Sequence, residues 1–154
     1  MTRILLVCLG NICRSPAAEA ILRAKAAERE LAVHVESAGT GGWHSGDGAD
    51  ARMIGAAARR GYSLDRHRAR QVAFPDFYEF DYLLAMDMQN QSELLAMAPP
   101  NRECDIRLFL DFANTATRET PDPYYGGPEG FERVLDLLEA GAEGFLAHLE
   151  ESGD

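Results

Sequence analysis

Near the start of the chain, in the stretch VCLGNICRSPAAEA (residues 7–20), Cys8 is followed by five residues and then Arg14, between an apolar run and the opening of a helix. The six successive backbone N–H groups of Leu9, Gly10, Asn11, Ile12, Cys13 and Arg14 can converge if the loop curls, and a helix N-terminus adds positive potential. Gly10 and Asn11 tolerate the left-handed conformations that such curling needs. The planar guanidinium of Arg14 suits two oxygens of one anion. The loop therefore reads as a cradle for a tetrahedral oxyanion with a thiol at its base. A helix terminus and a nearby arginine favour the thiolate, and cysteines in such places have pKa values of roughly 3.5–7.5. A thiolate facing a bound phosphoryl group implies attack at phosphorus and a phosphocysteine intermediate. A purely structural loop is the plain alternative. A Walker loop is excluded because Gly10 is not followed by Gly-Lys-Ser/Thr. Zinc held by Cys8, Cys13 and Cys104 lacks paired short spacings and a fourth ligand. Between binding and turnover, the loop alone does not choose.

The elements that must position this loop follow from the patterning. Residues 3–8 (RILLVC) read as a buried strand, and Ser15-Pro16 as an N-cap and first helical position leading into a helix over 17–29. Residues 33–38 alternate as a strand, 39–48 are loop, and a helix from about 50 to 60 is closed by Gly61. A third strand at 80–86, a short helix at 89–98 ended by Pro99-Pro100, and a fourth strand at 104–110 come next. A polar loop at 114–127 and an amphipathic helix at 131–150 complete the chain. Alternating strands and helices predict one doubly wound α/β domain over 1–154. Its expected core is a four-stranded parallel sheet of flavodoxin-like order 2-1-3-4, with helices on both faces. Ligands in such sheets sit beyond the carboxyl ends of the strands, where Cys8 lies.

The 154 residues are 46% hydrophobic and 26% charged, with no apolar run long enough for a membrane helix and no secretory signal at the N-terminus. A cytoplasmic protein is expected, without a membrane association and with the three cysteines as thiols. A formal charge of -10 argues against a nucleic-acid partner. The charge is uneven: residues 129–154 carry eight acids against Arg133, whereas 52–70 carry six arginines against Asp65. The arginine stretch reads either as a surface for an anionic partner or as a solvated, salt-bridged helix face.

The stretch VCLGNICRSPAAEA resembles the signature loop of the low-molecular-weight protein tyrosine phosphatases, which place it at the end of the first strand. ESAGT (36–40), GGWHSG (41–46), HRARQV (67–72), FDYLLAMD (80–87) and PDPYYGG (121–127) extend the resemblance over nearly the whole chain. The resemblance implies hydrolysis of phosphotyrosine and small aryl phosphates without a metal or other cofactor, with inorganic phosphate as product and inhibitor. It makes Cys8 the nucleophile, Arg14 the phosphate ligand and Asp122 the general acid and base. From residues alone, Asp122-Pro123 is equally a turn opener. The resemblance also assigns Ser15 to the Cys8 thiolate, and Asn11, Ser37 and His67 to a network supporting the loop. His67 by itself reads as a surface histidine between arginines. Leu9, Ile12, Trp43, Tyr124 and Tyr125 are expected to wall a slot deep enough for a phenyl ring and too deep for phosphoserine. Trp43 has the alternative of covering a core edge. Asp87 reads as a helix N-cap, and Cys104 as core. Cys13 is either a redox partner for an oxidised Cys8 or a small packed residue. A monomer is expected.

Three rivals differ in chemistry. A thioredoxin-coupled arsenate reductase shares this fold and loop but needs two further cysteines, and only Cys104 follows Cys13. Protein arginine phosphatases of the same family carry a threonine where Ile12 stands and lack the tyrosine pair. A non-catalytic phosphate-binding module would have little use for Cys8, Arg14 and Asp122 together.

Overall fold

In a computed structural model that describes residues 1–123 and 126–152, four strands lie side by side, all parallel, in the order β2-β1-β3-β4. The elements are β1 (Thr2–Cys8), α1 (Arg14–Glu28), β2 (Val33–Gly39), α2 (Ala51–Ala58), α3 (Asp76–Glu79), β3 (Tyr82–Ala85), α4 (Met88–Met97), β4 (Asp105–Leu108), a 3-10 turn (Phe109–Phe112) and α5 (Pro128–Glu151). The strand order matches the expected one, and β1, paired on both edges, is wholly buried from Ile4 to Cys8.

Successive side chains of β1 point to opposite faces, so its residues divide between two cores. Ile4, Leu6 and Cys8 pack with α1, α2 and α5 on one face. Leu5 and Val7 pack with Phe77, Phe80 and Leu94 from the α3 and α4 side on the other. In α5, Phe131, Val134, Leu135, Leu138, Ala142, Phe145, Leu146 and Leu149 recur at helical spacing and are all buried. The helix lies so close to the 3-10 turn that a Cβ on Gly144 would stand 2.1 Å from the Phe112 carbonyl oxygen.

Several boundaries differ from the pattern-based expectation. The first helix begins at Arg14, with Cys13 as N-cap and no side-chain cap bond. Ser15 is thus inside the helix, and its hydroxyl is used elsewhere. The fourth strand stops at Leu108 because the chain tightens into the 3-10 turn, and α3 is a four-residue helix too short to leave a periodic signal. Asp50 caps α2 by accepting from the N–H groups of Arg52 and Met53. Although burial opposes it, Arg52 holds the Asp50 carboxyl below its usual range.

The charge asymmetry resolves in this packing. Arg60 binds Glu132, Asp136 and Glu139 of α5 at 2.6–2.9 Å, and Tyr62 donates to Glu139 at 2.7 Å. Burial and the Glu139 carboxylate push the Tyr62 phenol up to about 12. On α1, Lys25 binds Glu143 at 2.9 Å and Arg29 binds Glu143 and Glu150. Much of the acidic helix is therefore neutralised within the fold. Among the described residues, no helix is long and apolar enough to cross a membrane.

Candidate active site

The loop between β1 and α1 is shaped from outside. Thr40 N donates to the Cys8 carbonyl and Gly41 N to that of Leu9, both at 2.9 Å. Asp50 N donates to the Ile12 carbonyl at 2.7 Å, and Ala17 N to that of Cys13 at 3.3 Å. His67 Nε2 bonds the Asn11 carbonyl at 2.6 Å. In a trans peptide the N–H lies opposite the C=O, and there are no cis bonds among the described residues. With these carbonyls turned toward neighbouring segments, the N–H groups of Leu9, Gly10, Ile12, Cys13 and Arg14 are turned the other way. A run of inward N–H groups at a helix start is the arrangement that holds a tetrahedral anion.

Asn11 sets the curvature. It is fully buried, with φ 58 in the left-handed region that few side chains adopt without support. Its Nδ2 donates to Ser15 Oγ at 2.9 Å and to Ser37 Oγ at 3.0 Å, and its Oδ1 accepts from Arg70 N at 2.9 Å. Ser37 in turn donates to Glu19 at 2.6 Å. Ser15 Oγ lies 3.0 Å from Cys8 Sγ, which also accepts from Asn11 N at 3.3 Å. Ser15 therefore serves the sulfur and Asn11 instead of capping the helix. Asn11, Ser15, Ser37 and His67 thus come together behind the loop, although they are spread over 57 residues.

Arg14 is buried, and its Nη1 donates to Asp87 Oδ2 at 2.8 Å and to the Thr120 carbonyl at 2.9 Å. Desolvation acts against its charge, but Cys8, Asp87 and Asp122 outweigh it and strengthen the guanidinium's hold on its proton. Asp87 does cap α4, accepting from Asn90 N at 2.8 Å, and its second oxygen takes the arginine, a partner that no local pattern announces. Asp122 stands across the pocket with Oδ2 3.9 Å from Arg14 Nη2 and its side chain half exposed. Its loop is moored two residues earlier, where Thr120 N donates to the Met86 carbonyl at 2.8 Å.

Together Cys8, Leu9, Gly10, Ile12, Cys13, Arg14, Trp43, His44 and Asp122 line a cavity of about 330 Å³. Leu9, Ile12 and Trp43 are part of its wall. Trp43 is exposed and folds over Gly41, where a Cβ would stand 1.8 Å from the indole. Tyr124 and Tyr125 lie outside the described residues. Cys13 is buried in the wall, and its thiol is pushed up by burial, then by Cys8, Asp50 and Asp122. It stays protonated at neutral pH. Cys104 is only partly buried, at the edge of the second core. Among the described residues, no group of three or more His, Cys, Asp or Glu side chains is placed to hold a metal ion.

A family model described as low molecular weight phosphotyrosine protein phosphatase matches residues 3–154. The chain belongs to that family. A Streptomyces coelicolor low molecular weight protein-tyrosine-phosphatase is 43% identical over 97% of this chain and 94% of its own. The crystal structure of an Entamoeba histolytica protein tyrosine phosphatase, with Hepes in the active site, superposes over the full length of both chains with a TM-score of 0.95 at 43% identity. A Drosophila arginine phosphatase superposes over 97% of this chain and 98% of its own, with a TM-score of 0.91 at 35% identity. Two solved structures whose names give different substrate chemistries thus share nearly one backbone with this chain.

Proposed function

We propose that this phosphatase-family chain hydrolyses phosphotyrosine and aryl phosphate monoesters through a phosphocysteine. The observation that carries the reading is Cys8 Sγ and the Asp122 carboxyl in one pocket, with Arg14 beside both. In the first step the substrate's phosphoryl oxygens bind the inward N–H groups and Arg14. The Cys8 thiolate attacks phosphorus, the bond to the phenolic oxygen breaks, and Asp122 gives that oxygen its proton. In the second step the Asp122 carboxylate takes a proton from water as the water oxygen attacks phosphorus. The P–S bond breaks, and the returning thiolate accepts a hydrogen bond from Ser15. Donors aimed at the equatorial oxygens and at the leaving sulfur stabilise charge where each step develops it. Inorganic phosphate fits the same cradle and inhibits by occupying it.

No metal or cofactor enters these steps, and a monomer suffices. The apolar wall of Leu9, Ile12 and Trp43 favours an aromatic ring above the cradle. Ile12, in place of the threonine characteristic of arginine phosphatases, supports phosphotyrosine over phosphoarginine.

The decisive experiment assays wild type and Cys8→Ser on phenyl phosphate, with and without a chelator, and runs phosphotyrosine and phosphoarginine side by side. Cys8→Ser is expected to lose activity by on the order of 10⁵-fold, and the chelator to have no effect. Activity surviving in Cys8→Ser, or lost to the chelator, overturns the mechanism. Faster turnover of phosphoarginine overturns the specificity.

A further inference from the structure

A second cavity, of about 410 Å³, opens between α1 and the segment 63–67, and it shares no lining residue with the pocket that holds Cys8. Two of its lining side chains are the outer supports of Asn11. His67 lines it and bonds the Asn11 carbonyl at 2.6 Å. Glu19 lines it and accepts at 2.6 Å from Ser37, whose hydroxyl in turn accepts from Asn11 Nδ2 at 3.0 Å. Whatever fills this cavity therefore touches both struts that hold the curl of the phosphate loop.

The cavity also carries cationic donors that the fold leaves idle. Most of the arginine-rich stretch at 52–70 is engaged: Arg52 with Asp50, Arg60 with α5 and Arg70 with Asp76. Arg66 is exposed and has no hydrogen bond or ion pair among the described residues. From the α1 wall, Arg23 uses Nη2 alone, donating to Glu19 Oε2 at 2.6 Å and to the Val35 carbonyl at 2.7 Å, which leaves Nε and Nη1 for a ligand. Both oxygens of Glu19 are occupied, one by Ser37 and one by Arg23. With two guanidiniums against one carboxylate, the lining carries an excess of one positive charge, which a monoanion balances. Pro16, Ala20 and Leu64 give the rest of the wall an apolar surface.

We propose that this cavity is an effector site for a small organic carboxylate, with the carboxylate between Arg23 and Arg66 and the apolar body on Pro16, Ala20 and Leu64. A guanidinium fork suits a carboxylate, and two forks from opposite walls fix its direction. Binding reaches the phosphate loop through Glu19. A ligand carboxylate that shares Arg23 weakens the hold of Arg23 on Glu19, so the Glu19 carboxylate draws harder on Ser37. The Asn11–Ser37–Glu19 chain tightens, as hydrogen bonds in series polarise one another. A loop held more firmly before charge develops favours turnover. Only this effect on turnover rests on the phosphatase reading; the binding site and its link to Asn11 do not.

The test uses benzoate as the probe and follows the full chain by 15N NMR. In wild type, amide signals at 63–67 and around Arg23 should move along one saturable curve, and the side-chain NH2 signal of Asn11 should follow the same curve. Arg66→Ala should weaken binding about threefold, as loss of an exposed charge partner does. Arg66→Glu, which makes the lining charge negative, should abolish it, with thermal melting to show that the fold is intact. On phenyl phosphate, benzoate should raise kcat of wild type about twofold, the low end for coupling between sites. Arg66→Glu should hydrolyse phenyl phosphate at the wild-type rate and not respond. No saturable shift at 63–67, a shift kept in Arg66→Glu, or an Asn11 signal that does not follow overturns the proposal. Competitive inhibition as the sole effect of benzoate also overturns it, because the ligand is then in the Cys8 pocket. If wild type does not hydrolyse phenyl phosphate, the phosphatase reading has failed, and the shifts at 63–67 and Asn11 decide this proposal alone.

Discussion

The two sides of the pocket are built to different standards. Behind Cys8, the Asn11–Ser15–Ser37 network is buried and every polar atom of the Asn11 side chain has a partner. Across from it, Asp122 has a half-exposed side chain on a loop that contains no helix or strand between Phe112 and Pro128 among the described residues. In the proposed mechanism the contrast matches what each side must do. The anion side has to hold its donors in place before charge develops, since reorganisation at that moment costs rate. The acid has to exchange protons with a leaving group and then with water, which needs access. Arg14 bridges them, bonded to Asp87 and Thr120 and 3.9 Å from Asp122.

The largest expected effect breaks the open side. Asp122→Ala should slow turnover of phenyl phosphate by about 10²–10⁴-fold, the usual contribution of a positioned acid. Stability should move by less than about 0.5 kcal/mol, as for exposed sites. The loss should shrink for p-nitrophenyl phosphate, whose phenolate leaves without much help. Equal losses on both substrates would show that Asp122 does not protonate the leaving group.

How much of this arrangement was legible in the sequence depends on distance along the chain. Cys8, Arg14 and the loop between them lie within seven residues, so a strand pattern, a helix start and the residue types locate the cradle. The sheet order follows from alternating elements and from crossover rules. Ser15 shows the limit of local rules: Ser-Pro signals a helix start, but the hydroxyl is drawn off by Cys8 and Asn11, and the helix begins at Arg14 without a side-chain cap. Asp87 reads correctly as a cap from its neighbours, yet its bond to Arg14 joins residues 73 apart. His67 reads as a surface histidine until the fold sets it under the Asn11 carbonyl. His44 sits in the Gly-rich GGWHSG motif beside Trp43, and only the packing of that loop on Gly10 brings it into the pocket. Of the arginines at 52–70, Arg59 and Arg60 pair with carboxylates of α5, which is visible only once the end of α2 and α5 are adjacent, whereas Arg52 pairs with Asp50 and Arg70 with Asp76.

A second prediction tests the buried side. Asn11→Ala removes three side-chain hydrogen bonds, takes a donor from Ser15 Oγ and from Ser37 Oγ, deprives the Arg70 N–H of its acceptor, and leaves alanine at φ 58. Leaving buried groups unpaired costs about 1–3 kcal/mol each at most, and the left-handed conformation about 1–2 kcal/mol more. With relaxation, a loss of about 3 kcal/mol in urea unfolding is expected, together with reduced kcat. Unfolding at the wild-type urea concentration would mean that the network does not hold the loop, and the contrast between the two sides would collapse.

The smallest effect is at the bridge, and it separates positioning from charge. Asp87→Asn keeps a good cap on α4, since asparagine caps as well as aspartate. It removes the carboxylate that holds Arg14 Nη1 at 2.8 Å. If Asp87 merely balanced charge, its loss would leave Arg14 freer to attract phosphate, and turnover would be kept. If it aims the guanidinium, inorganic phosphate should bind at least as well, because the net positive potential rises. Turnover should fall about tenfold, because the fork no longer meets the transition state squarely. The aiming role predicts this split between kcat and the phosphate inhibition constant. Weaker phosphate inhibition with unchanged kcat would reverse the assignment, making Asp87 part of ground-state binding and leaving Thr120 alone to aim the arginine.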